Sequence, residues 1–474
     1  MKGASVTAPD NTLTLDEIAK ATQGRVAAGG PAATVAGVSI DSRTLAKGQL
    51  FVAVKGPNFD GHDFVGAALA RGAAAAMVHR EVAVPDAFPL VRVGETTQAL
   101  KDLGRHVRMK AGLPVVAVTG SAGKTTTKEM TAALLATQGP VLKTEGNLNN
   151  QYGLPLTLLR LSPEHRFAVL ELGMSAAGEL RELSAIARPD VAIITMVAPV
   201  HLEFFDSVDA IAAAKAEILE GLDANGVAVL NWEDPRVRRI GEQRKGRTLW
   251  FGRDRACDVS AENWRGTIHG MRFDLRVEGK TYDVALPLPG PHFLLNFLAA
   301  TAAAHLIGVP MEAIVEAATH LKAARSRGQV RRLGEGVTLL DDSYNSNPAA
   351  VEAAVTALDM AAQGRRVVFL GDMLELGKAG PELHRETGAK LAGRADVVIG
   401  VGALGREFTE GARRAGLAGS ALRDFPDSEA AAREAAAIVK PGDAVLVKGS
   451  RGARMEAVVD ALLAAFPPAG RDEA

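Results

Sequence analysis

The stretch Val118 to Glu129, VTGSAGKTTTKE, constrains this chain more than any other. It closes the apolar run PVVAVTG and opens TTTKEMTAALLATQG, where Met130, Ala133 and Leu134 recur at helical spacing and Gly139 marks a stop. The pattern predicts a buried strand, a glycine turn and a helix. That arrangement turns backbone N–H groups and the positive end of a helix toward an anion. Gly120 and Gly123 permit the tight path, Ser121, Ala122 and Thr126 complete the loop, Lys124 is expected at terminal phosphates, and the Thr125 hydroxyl is expected on magnesium. The competing reading, a turn that merely links strand to helix, does not explain the Lys-Thr pair in this context. The two glycines stand closer together than in the usual P-loop pattern, a difference that can separate one family of chemistries from others.

The same alternation continues along the chain. FAVLEL and VAIITMV read as further buried strands, and GVAVLNW, RTLWFG, MRFDLRVEG and TYDVALPLPG as shorter ones that would give the central sheet a mixed edge. A helix is expected at FLLNFLAATAAAHLIG. LFVAVKG and DFVGAALARGAAAAMV predict a small α/β unit before the loop, and VTLLDD, RVVFLGD, ADVVIGVG and DAVLVKG a doubly wound unit after it. At ~150 residues per domain, 474 residues suggest three domains. Their expected extents are 1–111, 112–324 and 325–474: a small N-terminal α/β domain, a central P-loop ATPase-like domain with a mixed sheet, and a Rossmann-like C-terminal domain.

Charge excludes some functions. With 54 basic and 55 acidic residues, no electrostatic bulk argues for nucleic acid or an anionic membrane as main partner. The single cysteine, Cys257, rules out an intrachain disulfide and a cysteine-built zinc site. No run approaches the ~20 apolar residues of a membrane span, and the first residues lack the apolar core of a secretory signal, so a soluble cytoplasmic protein is expected. Separately, a monomer is expected.

Three residues suggest a metal centre. Glu171 ends FAVLEL and should emerge at the carboxyl edge of the sheet beside the loop, and His201 follows the next strand to the same edge, where a histidine taken alone would read as a satisfied turn residue. Lys215, in SVDAIAAAKAEILEG, has Ile211 four residues before it and Ile218 three after, which sets an ammonium on an apolar face. It could snorkel, find an ion-pair partner, or lose its proton and react with carbon dioxide to give a carbamate.

Read together with TGSAGKTTT, the motifs GNLNNQYGLPLTLL, ELGMSAAGEL, DDSYNSNPAAVEAA, GDMLELG and LVKGSRGARMEAVV resemble those of the Mur ligases, ATP-dependent amide-forming enzymes of peptidoglycan precursor synthesis. The resemblance runs over nearly the whole chain. It implies ATP and magnesium as cofactors, an acyl-phosphate intermediate, and, from DDSYNSNP, UDP-N-acetylmuramoyl-tripeptide and D-alanyl-D-alanine as the substrates joined. It implies Ser42, Asn58 and Asp60 at the UDP end, Asn149 and Asn150 at the substrate, Asn296 at the adenine, and Arg327 and Asp342 at phosphate and ribose. It makes Glu171, His201 and carbamylated Lys215 metal ligands. Met196, Pro199, Val200, Phe293 and Ser326 depart from residues common in the family. A folylpolyglutamate-type ligase would leave the first domain unexplained, and a nucleotide-switch protein would leave Lys215, Asn296 and the third domain without a role.

Overall fold

The computed structural model describes residues 12–468. Strand Val115–Thr119 is wholly buried and forms the hub of a nine-stranded sheet, flanked in parallel by Phe167–Glu171 and Val191–Ile194. Apolar side chains, mostly valine, alanine and isoleucine, run almost unbroken through all three strands, as a sheet covered on both faces requires. Beyond Val191–Ile194 the sheet runs through Val227–Asn231, Thr248–Gly252 and Val259–Thr267, then ends in an antiparallel meander with Gly270–Val277 and Lys280–Leu286. The expected mixed edge is therefore present. Helices Lys124–Leu135 and Pro291–Leu306 pack on one face, where Leu134, Phe297 and Leu298 share a core with Val118 and Phe273.

The small first unit is a five-stranded sheet, parallel except where Arg25–Ala28 pairs antiparallel with Leu90–Arg92. Its long helix, Thr96–Ala111, ends on Gly112 in the left-handed region at φ 61°. Leu100, Leu103 and Val107 of that helix share one core with Leu154 and Leu158 of the central unit. Gly104 lies against Pro155, where an added Cβ would stand 2.8 Å from a backbone carbon. Lys101 reaches Glu182 at 2.6 Å, and Arg108 donates to the Ala187 carbonyl at 2.9 Å. The first sheet is thus bolted to the central one.

The third unit is a six-stranded sheet in the order Gln329–Arg332, Thr338–Asp342, Ala444–Lys448, Arg366–Gly371, Val397–Val401, Leu422–Phe425. All neighbours but the first pair are parallel, and separate apolar cores cover the two faces. Ligands of such sheets bind outside the carboxyl ends of the strands. Here the carboxyl ends of Thr338–Asp342 and Ala444–Lys448 face the glycine loop, since Asp342, Tyr344 and Lys448 line a cleft with Gly123 and Lys124. Among the described residues no helix is long and apolar enough to cross a membrane.

Candidate active site

The glycine loop is held by the strand beside it. Ser121 donates its backbone N–H to the Met196 carbonyl at 2.8 Å, and its hydroxyl accepts from Ala198 N at 2.9 Å. Thr195 donates its hydroxyl to the Ala122 carbonyl at 2.5 Å. Gly120, at φ 151°, approaches Thr195 so closely that an added Cβ would stand 1.8 Å from its hydroxyl, and at Gly123, at φ 82°, one would stand 2.4 Å from Asn296 Oδ1. Gly123 caps helix Lys124–Leu135, so the helix starts on the residues expected to meet phosphate.

Lys124 Nζ donates to the Gly120 carbonyl at 2.8 Å. Burial lowers its pKa, Glu171 pulls it up, and Arg327 adds to the lowering. Thr125 donates its hydroxyl to Glu171 Oε2 at 2.7 Å, and the Asn149 amide donates to Glu171 Oε1 at 3.0 Å. Two hard oxygen donors thus sit side by side next to the phosphate loop, a set that suits magnesium. Among the described residues no three His, Cys, Asp or Glu side chains form a metal-binding group.

Across the cleft the third sheet supplies cations. Lys448, 2% exposed, donates to Asp342 Oδ2 at 2.5 Å and to the Asn345 carbonyl at 2.9 Å. The Arg327 guanidinium lies 4.0 Å from the centre of the Tyr344 ring, a stacking that fixes its direction. Ser326 adopts φ 57°, and its carbonyl accepts from Tyr344 N at 3.1 Å, tying the linker to the same loop. Asn296 Oδ1 accepts from the Thr127 hydroxyl at 3.2 Å. His292 also lines this cleft, its Nδ1 covered and without a hydrogen-bond partner, and burial drives its pKa down to about 4.

A second cavity opens on the other side of Lys124, bounded by Asn149, Asn150, His201, Lys215 and the third-sheet loops. Lys215 is buried where its periodicity put it, with no carboxylate in ion-pair range among the described residues. Desolvation, reinforced by Lys124, holds its pKa well below the usual lysine value. His201, at φ 56°, brings Nδ1 to 2.5 Å from Glu375 Oε2, although not at the angle of a hydrogen bond. Contact with His201 is the chief reason that the Glu375 carboxyl is held low. Glu203 N and the Glu375 carbonyl lie 3.3 Å apart, a further tie between the two units. Asn150 is spent locally, its side chain accepting from Tyr152 N and Gly153 N.

The cluster of Lys124, Thr125, Glu171, Asn296, Arg327 and Asp342 is therefore assembled around one cleft, with His201 and Lys215 on its flank. Ser42, Asn58 and Asp60 line neither cavity. Asp60 caps Gly61–Phe64 and contacts His62 Nδ1 at 2.6 Å, while Asn58 is exposed beside Phe59. Lys448, Thr195 and Glu375 were not singled out from sequence. Lys448 closes the apolar run DAVLVKG and Glu375 lies within the motif GDMLELG, whereas Thr195 carried no such signal.

Comparison with known proteins agrees with this geometry. Residues 34–136 match the Mur ligase family catalytic domain, 118–304 the Mur ligase middle domain, and 326–451 the Mur ligase glutamate ligase domain. The chain is 40% identical over 435 residues to the UDP-N-acetylmuramoyl-tripeptide–D-alanyl-D-alanine ligase of Escherichia coli, covering 90% of this chain and 94% of that protein. It is 35% identical to the ligase of that name from Bacillus subtilis, covering 90% and 93%. A crystal structure of MurF from Acinetobacter baumannii superposes with a TM-score of 0.90 at 32% identity, over 97% of this chain and all of that one. MurF ligase from Thermotoga maritima in complex with ADP superposes at 0.80 and 32% identity, over 90% and 97%. The chain belongs to the Mur ligase family and is an ATP-dependent ligase.

Proposed function

We propose that this chain joins D-alanyl-D-alanine to UDP-N-acetylmuramoyl-tripeptide, releasing ADP and phosphate, in the cytoplasmic synthesis of peptidoglycan precursor. The observation that carries the reading is the closing of two sheets on one cleft, Lys124 and Thr125 from the central sheet against Arg327, Asp342 and Lys448 from the third. The names of the full-length relatives supply the substrates.

The tripeptide carboxylate attacks the γ-phosphorus of ATP, the bond to the ADP oxygen breaks, and an acyl phosphate results. The dipeptide amine then attacks the acyl carbon, phosphate leaves, and the amine's proton passes to solvent. Two anions must meet in the first step, so alignment and charge neutralisation are the protein's main contributions. Lys124 and Arg327 bracket the phosphoryl group, and the Tyr344 ring keeps Arg327 aimed. Asn296 holds the adenine side, and Asp342, kept in place by Lys448, takes the ribose. Thr125 and Glu171 would hold magnesium, which when bound neutralises phosphate charge.

Lys215 reacts with carbon dioxide as its neutral amine, forming an N–C bond with loss of one proton. The resulting carbamate, with Glu171 and His201, would supply the donors that carboxylates and histidines alone do not complete. Ser42, Asn58 and Asp60 take the uridine end, and Asn149 and Asn150 the muramoyl peptide. Purified protein with ATP, magnesium and either UDP-muramoyl dipeptide or tripeptide, offered D-alanyl-D-alanine or a single amino acid, tests the assignment by product mass. Product is expected only from tripeptide plus D-alanyl-D-alanine, and a single amino acid added to the dipeptide precursor would overturn it.

A further inference from the structure

One wall of the cavity beside Lys124 and Lys215 is built from loops leaving the carboxyl ends of three neighbouring parallel strands of the third sheet. Ser346 follows Thr338–Asp342, Leu374 follows Arg366–Gly371, and Ser450 with Arg451 follows Ala444–Lys448. Most charged groups around this cavity are engaged inside the protein. Glu179 accepts from Ser175 N and Ala176 N, Glu182 pairs with Lys101, Glu375 faces His201, and Lys124 donates to Gly120.

Arg451 differs. Its side chain is 68% exposed, and its one ion-pair partner is Glu456, five residues on, reached through a single contact at 3.2 Å. Such a surface pair contributes little and is readily exchanged for a better anion. Beside it, Ser346 is 6% exposed and its hydroxyl oxygen has no hydrogen-bond partner. The neighbouring Ser450 hydroxyl is already used in both directions, accepting from Leu374 N at 2.9 Å and reaching the Ser346 carbonyl at 3.5 Å. A guanidinium fork and a free hydroxyl on adjacent loops are the donors that a carboxylate takes.

The surroundings narrow the ligand. Glu179, Glu182 and Glu375 disfavour a polyanion in this cavity but tolerate a zwitterion. Leu374, 46% exposed and packed on Gly452, offers a small apolar face suited to methyl groups. The Tyr344 ring has Arg327 at 4.0 Å and Arg451 at 5.9 Å. An extended dipeptide spans ~7 Å, a length comparable with the separations of Arg327 and Arg451 from the Tyr344 ring that they share.

We infer that Arg451 and Ser346 form the subsite for the free carboxylate of the incoming D-alanyl-D-alanine; this deepens the ligase reading above and rests on it. The test compares kcat/KM for D-alanyl-D-alanine and for D-alanyl-D-alaninamide, whose terminal charge is gone, in the full chain and in Arg451→Ala, Arg451→Lys and Ser346→Ala variants. The wild type should prefer the acid by about 10- to 100-fold, the range of a charged hydrogen-bonded contact. Arg451→Ala should bring the two substrates within about threefold by raising KM for the acid alone, Arg451→Lys should keep part of the preference, and Ser346→Ala should lose part of it. KM for ATP and for UDP-muramoyl tripeptide should not move. An unchanged acid preference in Arg451→Ala, a wild type indifferent to the amide, or a rise in KM for the tripeptide instead would overturn the subsite while leaving the ligase reading standing. Failure of the wild type to ligate either dipeptide would overturn that reading itself.

Discussion

The Thr125 hydroxyl stands 2.7 Å from Glu171 Oε2, so the first turn after the phosphate loop is tied to the end of the neighbouring strand. The two oxygens come from residues 46 apart in sequence and meet because Val115–Thr119, the strand that leads into the loop, is the parallel neighbour of Phe167–Glu171. If this pair holds magnesium, Thr125→Ala and Glu171→Ala should each raise the magnesium concentration needed for half-maximal ADP binding by at least about tenfold. Titrations of a fluorescent ADP at graded magnesium would show it. An unchanged magnesium dependence in both variants would place the ion elsewhere.

Gly123 combines a left-handed backbone with contact to Asn296 Oδ1. Gly123→Ala should cost about 1–2 kcal/mol in backbone strain alone and displace the Asn296 amide. The expected result is a lower midpoint in urea together with weaker ADP binding, whereas Gly178→Ala, at a left-handed glycine with open space around its Cβ position, should lose stability without losing nucleotide. Equal nucleotide affinity in the two variants would contradict this account.

These two sites also show what could be read in advance. Gly120 to Thr125 are contiguous, and their chemistry follows from a strand and a helix predictable from local periodicity. Lys215 was legible because Ile211 and Ile218 mark its face. Strand Val259–Thr267 was not, because its outer half, Glu262 to Arg265, carries a bulge and Asn263 sits at φ 51°, which breaks the alternation. Gln329–Arg332 and Leu422–Phe425 are edge strands with polar sequences and gave no apolar run. The Lys448–Asp342 pair joins residues 106 apart, and the His201–Glu375 contact joins two sheets; neither has a local signature.

His292 gives the fold a defined acid limit. Its pKa is depressed from 6.5 to about 4, first by burial, with Asp342 opposing and Lys448 assisting. A folded-state pKa below the unfolded value means that the unfolded chain binds the proton first, so this stability is intact above pH 6.5 and is lost as pH falls toward 4. The slope from this residue is about 1.4 kcal/mol per pH unit inside that window. Urea unfolding at pH 7, 6 and 5 should show a shallower loss for His292→Phe than for wild type. Parallel curves would mean that the ring accepts a proton in the folded protein without cost.

Lys215 offers the sharpest test of the metal centre, because its amine is buried, depressed well below the ordinary lysine pKa by desolvation and by Lys124, and without a carboxylate partner among the described residues. A neutral amine is the form that attacks carbon dioxide, and the product places an anion beside the Lys124 cation. Protein equilibrated with carbon-13 bicarbonate should give one carbamate resonance that is absent from Lys215→Ala. The variant should lose ligation, and a short carboxylic acid supplied in solution should restore part of it by standing in for the missing anion. Stability follows the same physics. While the amine is unmodified, the unfolded chain holds the proton that the folded chain lacks, so stability should rise with pH up to about 10.5. Lys215→Met should flatten that rise. A missing resonance together with full activity at depleted bicarbonate would remove the carbamate and leave Lys215 as a buried amine whose role is to face Lys124.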